Sequence, residues 1–399
     1  MLQKFGKFGT LELQTGKHDA GGTKMGKRTE FLYMSEADCI AAGVLDAPKC
    51  INNAEEVLVL LAKGDFLMGG STHNSHGMYI VFPESSPFPN MPTAGPDRRF
   101  VAMPAYLGGR FDLCGQKWYG SNKANKEKGL PRSVLTVTLN DKDTGEPLCF
   151  MSANLISAAR TAAIPGVGAR YLARKDSEVI TCVGCGAIGK ACLDAIITEL
   201  PNTKKVICHN HSPKNAISLA EHIREAYGVQ AVVEPDLETA LRQADVISIA
   251  ASRTAPLHFK REWIKPGTTL LASGPVQCDE QLWLDMDIVY DHIPLHKTYV
   301  KEAIETGDKT KGYAQFMGGP IYHLIDAGKK PALDDSLSIG KIILGEQQGR
   351  TSDDQLIFFI QCGMPVFDLG LGYDLYHTAL DKGIGQKLVL WDSPYQADR

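Results

Sequence analysis

The sequence predicts an α/β protein in which a doubly wound parallel sheet is inserted into a discontinuous antiparallel α+β domain. Three observations carry that expectation. At 399 residues and 43.4 kDa the chain is too long for one compact core, so two domains are expected. From about Ala153 onward, short apolar runs alternate with helical segments, the pattern of a parallel sheet covered on both faces. The region before it is strand-rich and joined by turn residues, and the character changes again from about Tyr313. The expected division gives residues 1–155 and 315–399 to one domain and 156–314 to the inserted one.

Residues 1–35, rich in Gly and Lys, read as an arm. From Ser35, SEADCIAAGV and then AEEVLVLLAKGDF place apolar residues at helical spacing, closed by Gly64. MYIVFP, from Met78, reads as a strand. PESSPFPNMPTAGPDRR holds five prolines in seventeen residues and reads as a long surface loop. FVAMPAYL, FDLCGQKWYG and SVLTVTLND follow as strands, and DKDTGEP turns the last of them into PLCFMSA as a hairpin. SAARTAAIPGVGARYLARKD is helical, with Pro165 and Gly166 expected to kink it. EVITCVGCGAIGKACLDAIITEL gives a buried strand, a tight loop and a helix. KKVICHN, AISLAEHIREAYG, QAVVE, LETALRQA, DVISIAA, EWIKPG and TLLASG continue the alternation. In the tail, LIFFIQCG reads as a strand, Asp374–Lys382 as a helix and LVLW as a last strand, all expected to complete the first domain.

Composition excludes several classes of function. Lys and Arg total 42 against 46 Asp and Glu, a net charge of −4, so the basic excess that nucleic acid or an anionic membrane surface requires is missing. No apolar run is long enough to span a membrane, and the start lacks the apolar centre of a secretory signal. A cytoplasmic location is expected, with no nucleic-acid or membrane partner. Ten scattered cysteines then read as reduced thiols. Cys182 and Cys185 form a C-x-x-C, but no second pair accompanies it and it lies in a glycine-rich strand-to-loop segment. No histidine spacing suggests a metal site, so none is expected.

Gly184-Cys185-Gly186-Ala187-Ile188-Gly189 is a full G-x-G-x-x-G between an apolar strand and a helix. The first glycine permits the tight turn, the second lets backbone approach a pyrophosphate, and the third allows close helix–strand packing. The inserted domain therefore reads as a Rossmann-type dinucleotide-binding unit. An NAD-preferring protein places an acid at the end of the next strand to bind the ribose hydroxyls. Here Cys208-His209-Asn210-His211-Ser212 stands there, with Lys214 behind it. The missing acid favours NADP(H), with NAD(H) as the alternative.

With these residues in place the chain resembles the ornithine cyclodeaminase/μ-crystallin family of NAD(P)-dependent enzymes over roughly residues 35–395. The markers are GQKWYG…KGLPRSVLTVTLNDKDTGEPL, SAARTAA…ARYLARKDS, the glycine loop and GRTSDDQLIFFIQCGMPVFDL. The resemblance implies a homodimer whose antiparallel domain supplies the dimer contact and part of the substrate site. It also implies chemistry at the α C–N bond of amino acids: cyclodeamination, dehydrogenation, ketimine reduction or opine-type coupling. Lys117 in GQKW matches the family lysine that contacts the substrate carboxylate, and Arg160 in ARTAA matches the arginine that clamps it. A guanidinium fork beside an ammonium suits that task. Cys362-Gly363 matches the position near the nicotinamide carboxamide, with Cys362 in place of the usual serine. Ala251, Ser252, Ser273 and Gly274 fall at strand ends that line the cofactor crevice.

Two departures bear on function. Cyclising members carry an aspartate just after the strand that here ends in Ser273-Gly274, and Pro275 or Val276 takes its place. A general base must reach the substrate amine, and neither residue can act as one. Lys117, Asp279 and His76 are the acid–base candidates, in that order. The family arginine upstream of the lysine is also missing; GGSTHNSHGMYIVFP offers His73, Asn74 and His76 instead. The expected function is an NAD(P)H-dependent oxidoreductase acting on an amino acid or its imine, with a small amino-acid or keto-acid substrate. Ornithine cyclodeamination and non-enzymatic NADP-dependent binding are the alternatives.

Overall fold

A computed structural model describes residues 27–251 and 257–395. Seven strands come first: β1 (Thr29–Met34), β2 (Phe66–Met68), β3 (Met78–Val81), β4 (Arg99–Leu107), β5 (Leu113–Ser121), β6 (Ser133–Asp141) and β7 (Pro147–Ser152). Then come β8 (Val179–Val183), β9 (Lys205–His209), β10 (Gln230–Val233), β11 (Val246–Ile249), β12 (His258–Phe259) and β13 (Thr269–Ala272). The last five are β14 (Gln277–Cys278), β15 (Met286–Tyr290), β16 (Leu337–Ser338), β17 (Leu356–Ile360) and β18 (Gln386–Trp391).

One sheet runs β18-β1-β7-β6-β5-β4-β2, with β3 also on β4, and is antiparallel except where β1 meets β7. The expected hairpin is β6–β7, in which Val137 faces Met151. A second sheet, β10-β9-β8-β11-β13-β17-β15-β16, is parallel throughout, as the strand–helix alternation requires. β1 lies inside the expected arm, of which residues 1–26 lie outside the described residues.

The tail divides between the two sheets, which corrects one expectation. β18 and the helix Pro365–Lys382 join the antiparallel sheet, but β17 lies between β13 and β15 in the parallel sheet, joined there by β16. All five residues of β17 are buried. LIFFI is apolar without alternation because both of its faces are covered, which is the mark of an inner parallel strand.

Local chemistry sets the helix ends. Ser35 and Asp38 form a capping box at Glu36–Ala41, and Gly64 closes Ala47–Lys63 in the left-handed conformation. Asn154–Leu172 runs unbroken through Pro165. Its Gly168 lies against Phe359 and Leu271 of the parallel sheet, where a Cβ would stand 2.6 Å from the Phe359 ring. That helix, Ala47–Lys63 and Pro365–Lys382 are packed into one apolar core that reaches both sheets. Among the described residues, no helix is long and apolar enough to cross a membrane.

Candidate active site

The glycine loop opens where β8 ends. Gly184 has φ +101°, and a Cβ there would lie 2.6 Å from the Ala251 nitrogen. A Cβ on Gly189 would collide with the Gly184 carbonyl at 1.8 Å. Gly186 faces open space and N-caps the helix Ala187–Glu199 without a side-chain hydrogen bond. Its first-turn residues Ala187 and Ile188 therefore present backbone N–H groups, the donors a pyrophosphate takes. The donor set and the bare cradle fit a dinucleotide. At the end of β9, Asn210 Oδ1 accepts the Cys185 N–H at 2.9 Å, and its Nδ2 donates to the Ser212 carbonyl at 3.0 Å. Ser212 N-caps Pro213–Tyr227 but leaves its hydroxyl out of the cap, and His211 is exposed. The thiols of Cys182 and Cys185 are buried against the carbonyls of Gly184 and His209. Gly274 approaches the Ala251 carbonyl, whereas Ser252 lies outside the described residues.

A second constellation lies further along the same edge of the parallel sheet, beyond β17. Three strand spacings separate β8 from β17, about 14 Å in all. Alternation along β5 turns Lys117 onto the core face, opposite Met103 and Val137. Its ammonium donates to Asp368 Oδ2 at 2.8 Å, and both groups are buried. Arg160, from Asn154–Leu172, places Nε 3.1 Å from the same oxygen, an ion pair without hydrogen-bond alignment. Asp368 Oδ1 is buried with no hydrogen-bond partner. Gly363, at φ +65°, makes room for the guanidinium, because a Cβ would stand 2.3 Å from Arg160 Nη1. Burial, reinforced by Arg160 and opposed by Asp368, brings the Lys117 ammonium down to about 8.

His76 closes the constellation. Its Nδ1 lies 3.0 Å from the Gly363 carbonyl, which can only accept, so Nδ1 carries the proton. Burial first, and then Lys117 and Arg160, hold the imidazole down to about 4, so it is neutral at pH 7. The loop carrying His76 is fastened to the other sheet's side. Asn74 Oδ1 is 2.7 Å from His292 Nε2, and the Thr72 and Thr298 hydroxyls are 3.0 Å apart. Asp291, His296 and Cys362 also converge here, a donor set the sequence reading did not anticipate. Hydrogen bonds already link them: the Cys362 N–H reaches Asp291 Oδ2 at 2.6 Å, and His296 bridges Asp291 and the Tyr322 hydroxyl.

The sequence comparison fits this geometry: residues 48–383 match the ornithine cyclodeaminase/mu-crystallin family. The chain belongs to that family. It is 30% identical over 289 residues to an alanine dehydrogenase of Archaeoglobus fulgidus, covering 72% of this chain and 82% of the relative. It is 24% identical to the N-((2S)-2-amino-2-carboxyethyl)-L-glutamate dehydrogenase of Staphylococcus aureus, covering 91% and 99%. A solved archaeal alanine dehydrogenase dimer with bound NAD superposes with a TM-score of 0.71 at 26% identity, covering 91% of this chain and 100% of that one.

Within this family framework the structure brings Lys117, Arg160, His76 and the Cys362-Gly363 turn together and leaves Asp279 apart. Asp279 N-caps Glu280–Asp285: Oδ1 accepts the Leu282 N–H at 2.8 Å and Oδ2 the Arg261 N–H at 2.9 Å. Both oxygens are thus held by backbone, and none of its hydrogen bonds reaches Lys117, Arg160 or His76. Two further residues escaped the sequence reading. Asp368 stands within the marker GMPVFDL, where an acid amid apolar helix residues was the available signal. Gln361 is buried, donating to Ser273 Oγ at 2.6 Å and to the Thr161 carbonyl at 3.2 Å. That carbonyl is the one Pro165, lacking an N–H, leaves without its helical donor.

Proposed function

We propose that this family member moves a hydride between NADP(H) and the α-carbon of an amino acid or its imine. The observation that carries the reading is the buried meeting of Lys117 and Arg160 on Asp368, at the sheet edge that also bears the glycine loop. A bound nicotinamide would supply or take the hydride. Gly186 and the first turn after it would hold the pyrophosphate, and Asn210, His211 and Ser212 would spare a 2′-phosphate the repulsion of an acid. The carboxylate of the substrate would lie against Arg160, which offers further N–H donors beyond the one facing Asp368. Asp368 keeps the two cations in place. Lys117, poised at about 8, is largely protonated at neutral pH and would donate to the imine nitrogen in reduction and accept in oxidation.

A second copy of this chain is the partner this reading takes. Phe100, Trp118, Val134 and Phe150 are exposed on adjacent strands of the antiparallel sheet, with Phe100 stacked on Trp118 at 5.6 Å. A contiguous apolar face of this kind marks an interaction surface.

The test offers α-keto acids with amine donors, or ornithine, and follows reduced nicotinamide together with product. NADPH loss in step with new amine is expected, and no proline from ornithine. Catalytic proline formation with the cofactor unchanged would overturn the reading in favour of cyclodeamination. Saturable cofactor affinity with neither reaction would overturn it in favour of a binder.

A further inference from the structure

We propose that the substrate carries a single carboxylate, and that His76 receives a hydrogen donor of the substrate where a second carboxylate would need a cation. The proposal rests on the oxidoreductase reading and adds a substrate class to it.

The charges of the site support this. Arg160 and Asp368 are the charged groups that act on Lys117, and both act on His76 as well; the neighbouring Asp291 carboxylate is already engaged by the Cys362 N–H and by His296. Lys117 and Arg160 contribute two positive charges and Asp368 one negative, while His76 contributes none. One positive charge remains, and one substrate carboxylate neutralises it. A second carboxylate would enter the same desolvated space unpaired, which is strongly unfavourable.

The tautomer of His76 sharpens the point. With Nδ1–H committed to the Gly363 carbonyl, the lone pair of the neutral ring lies on Nε2. That lone pair repels a carboxylate and accepts from an N–H or O–H. The loop is held against moving away. Gly77 is packed so closely on β4 that a Cβ would stand 2.9 Å from the Ala102 carbonyl, and Asn74 and Thr72 are anchored to His292 and Thr298. The position therefore tests the substrate's chemistry and does not adapt to it.

The experiment compares two imines that differ by one carboxylate, those formed by ammonia with pyruvate and with oxaloacetate. kcat/KM is measured with NADPH for the unaltered protein, His76→Arg and His76→Gln. The unaltered protein should favour the pyruvate imine by about thirtyfold or more, the effect of one unpaired buried charge. His76→Arg should narrow or reverse that ratio, and His76→Gln, which keeps an acceptor, should preserve the preference. Cofactor affinity and thermal unfolding of each variant establish that it is folded. Equal or better use of the oxaloacetate imine by the unaltered protein would overturn the proposal while leaving the oxidoreductase reading intact. So would an unchanged ratio in a folded His76→Arg. Reduction of neither imine would remove the oxidoreductase reading and this proposal with it.

Discussion

Replacing Asp368 by Asn gives the most discriminating test of the buried constellation. The carboxylate stands 2.8 Å from Lys117 Nζ, and at an effective dielectric constant near 20 that separation corresponds to about 6 kcal/mol of attraction. Desolvation opposes it, which is why Lys117 sits below an ordinary lysine, at about 8. Without the charge, burial and Arg160 act on Lys117 unopposed, so its titration should move down by at least about one unit. In the proposed reduction, protonated Lys117 is the form that donates to the imine. The reductive pH profile of Asp368→Asn should therefore keep its activity at low pH and lose it earlier as pH rises. Leaving two buried cations without their partner should also cost roughly 3–5 kcal/mol in urea unfolding. The assay is kcat/KM for imine reduction between pH 5 and 10, alongside NADPH affinity, which should change little. An inflection that stays in place or moves upward would show that Asp368 does not set the protonation of Lys117.

Two further outcomes follow from close contacts. Gly363→Ala should lower kcat/KM for carboxylate substrates at least tenfold while cofactor affinity persists, because the new Cβ takes the space of Arg160 Nη1 and φ +65° disfavours a side chain; unchanged turnover would mean Arg160 does not need that position. The unaltered protein should bind NADPH more tightly than NADH, and Asn210→Asp should reverse the order. The aspartate can still accept the Cys185 N–H, so calorimetric titration reads the repulsion of the 2′-phosphate; tighter NADH binding by the unaltered protein would refute this.

Much of the molecule was legible because its signals are local. The glycine loop is a backbone requirement at Gly184 and Gly189 that no other residue meets, and it declares itself in six residues. Alternation in SVLTVTLND and PLCFMSA gave the β6–β7 hairpin, and the helical spacing of AEEVLVLLAKG gave the helix that Gly64 closes. Lys117 and Arg160 were found by resemblance to the family and not by pattern: a lone lysine in a strand and a lone arginine in a helix are ordinary solvent-facing cations until the fold buries both.

What the sequence could not display is pairing between distant segments. An acid in the first turn of a helix, with proline at its start, is ordinarily explained by the helix dipole, so Asp368 carried no mark of its partner Lys117, 251 positions away on β5. Pro165 shows the same limit from the other side. Its local meaning is a kink in a helix that continues through it, and the carbonyl it releases at Thr161 is taken by Gln361 from the end of β17. Its place in the tail predicts the antiparallel domain for that strand, whereas its five consecutive apolar residues mark it as covered on both faces. Once β17 is set in the parallel sheet, Gln361, Cys362 and Gly363 arrive at the strand ends beside Ser273 and Arg160. The buried constellation around Asp368 and the glycine loop then share one edge because of a single strand that crosses from one half of the chain's expected division to the other.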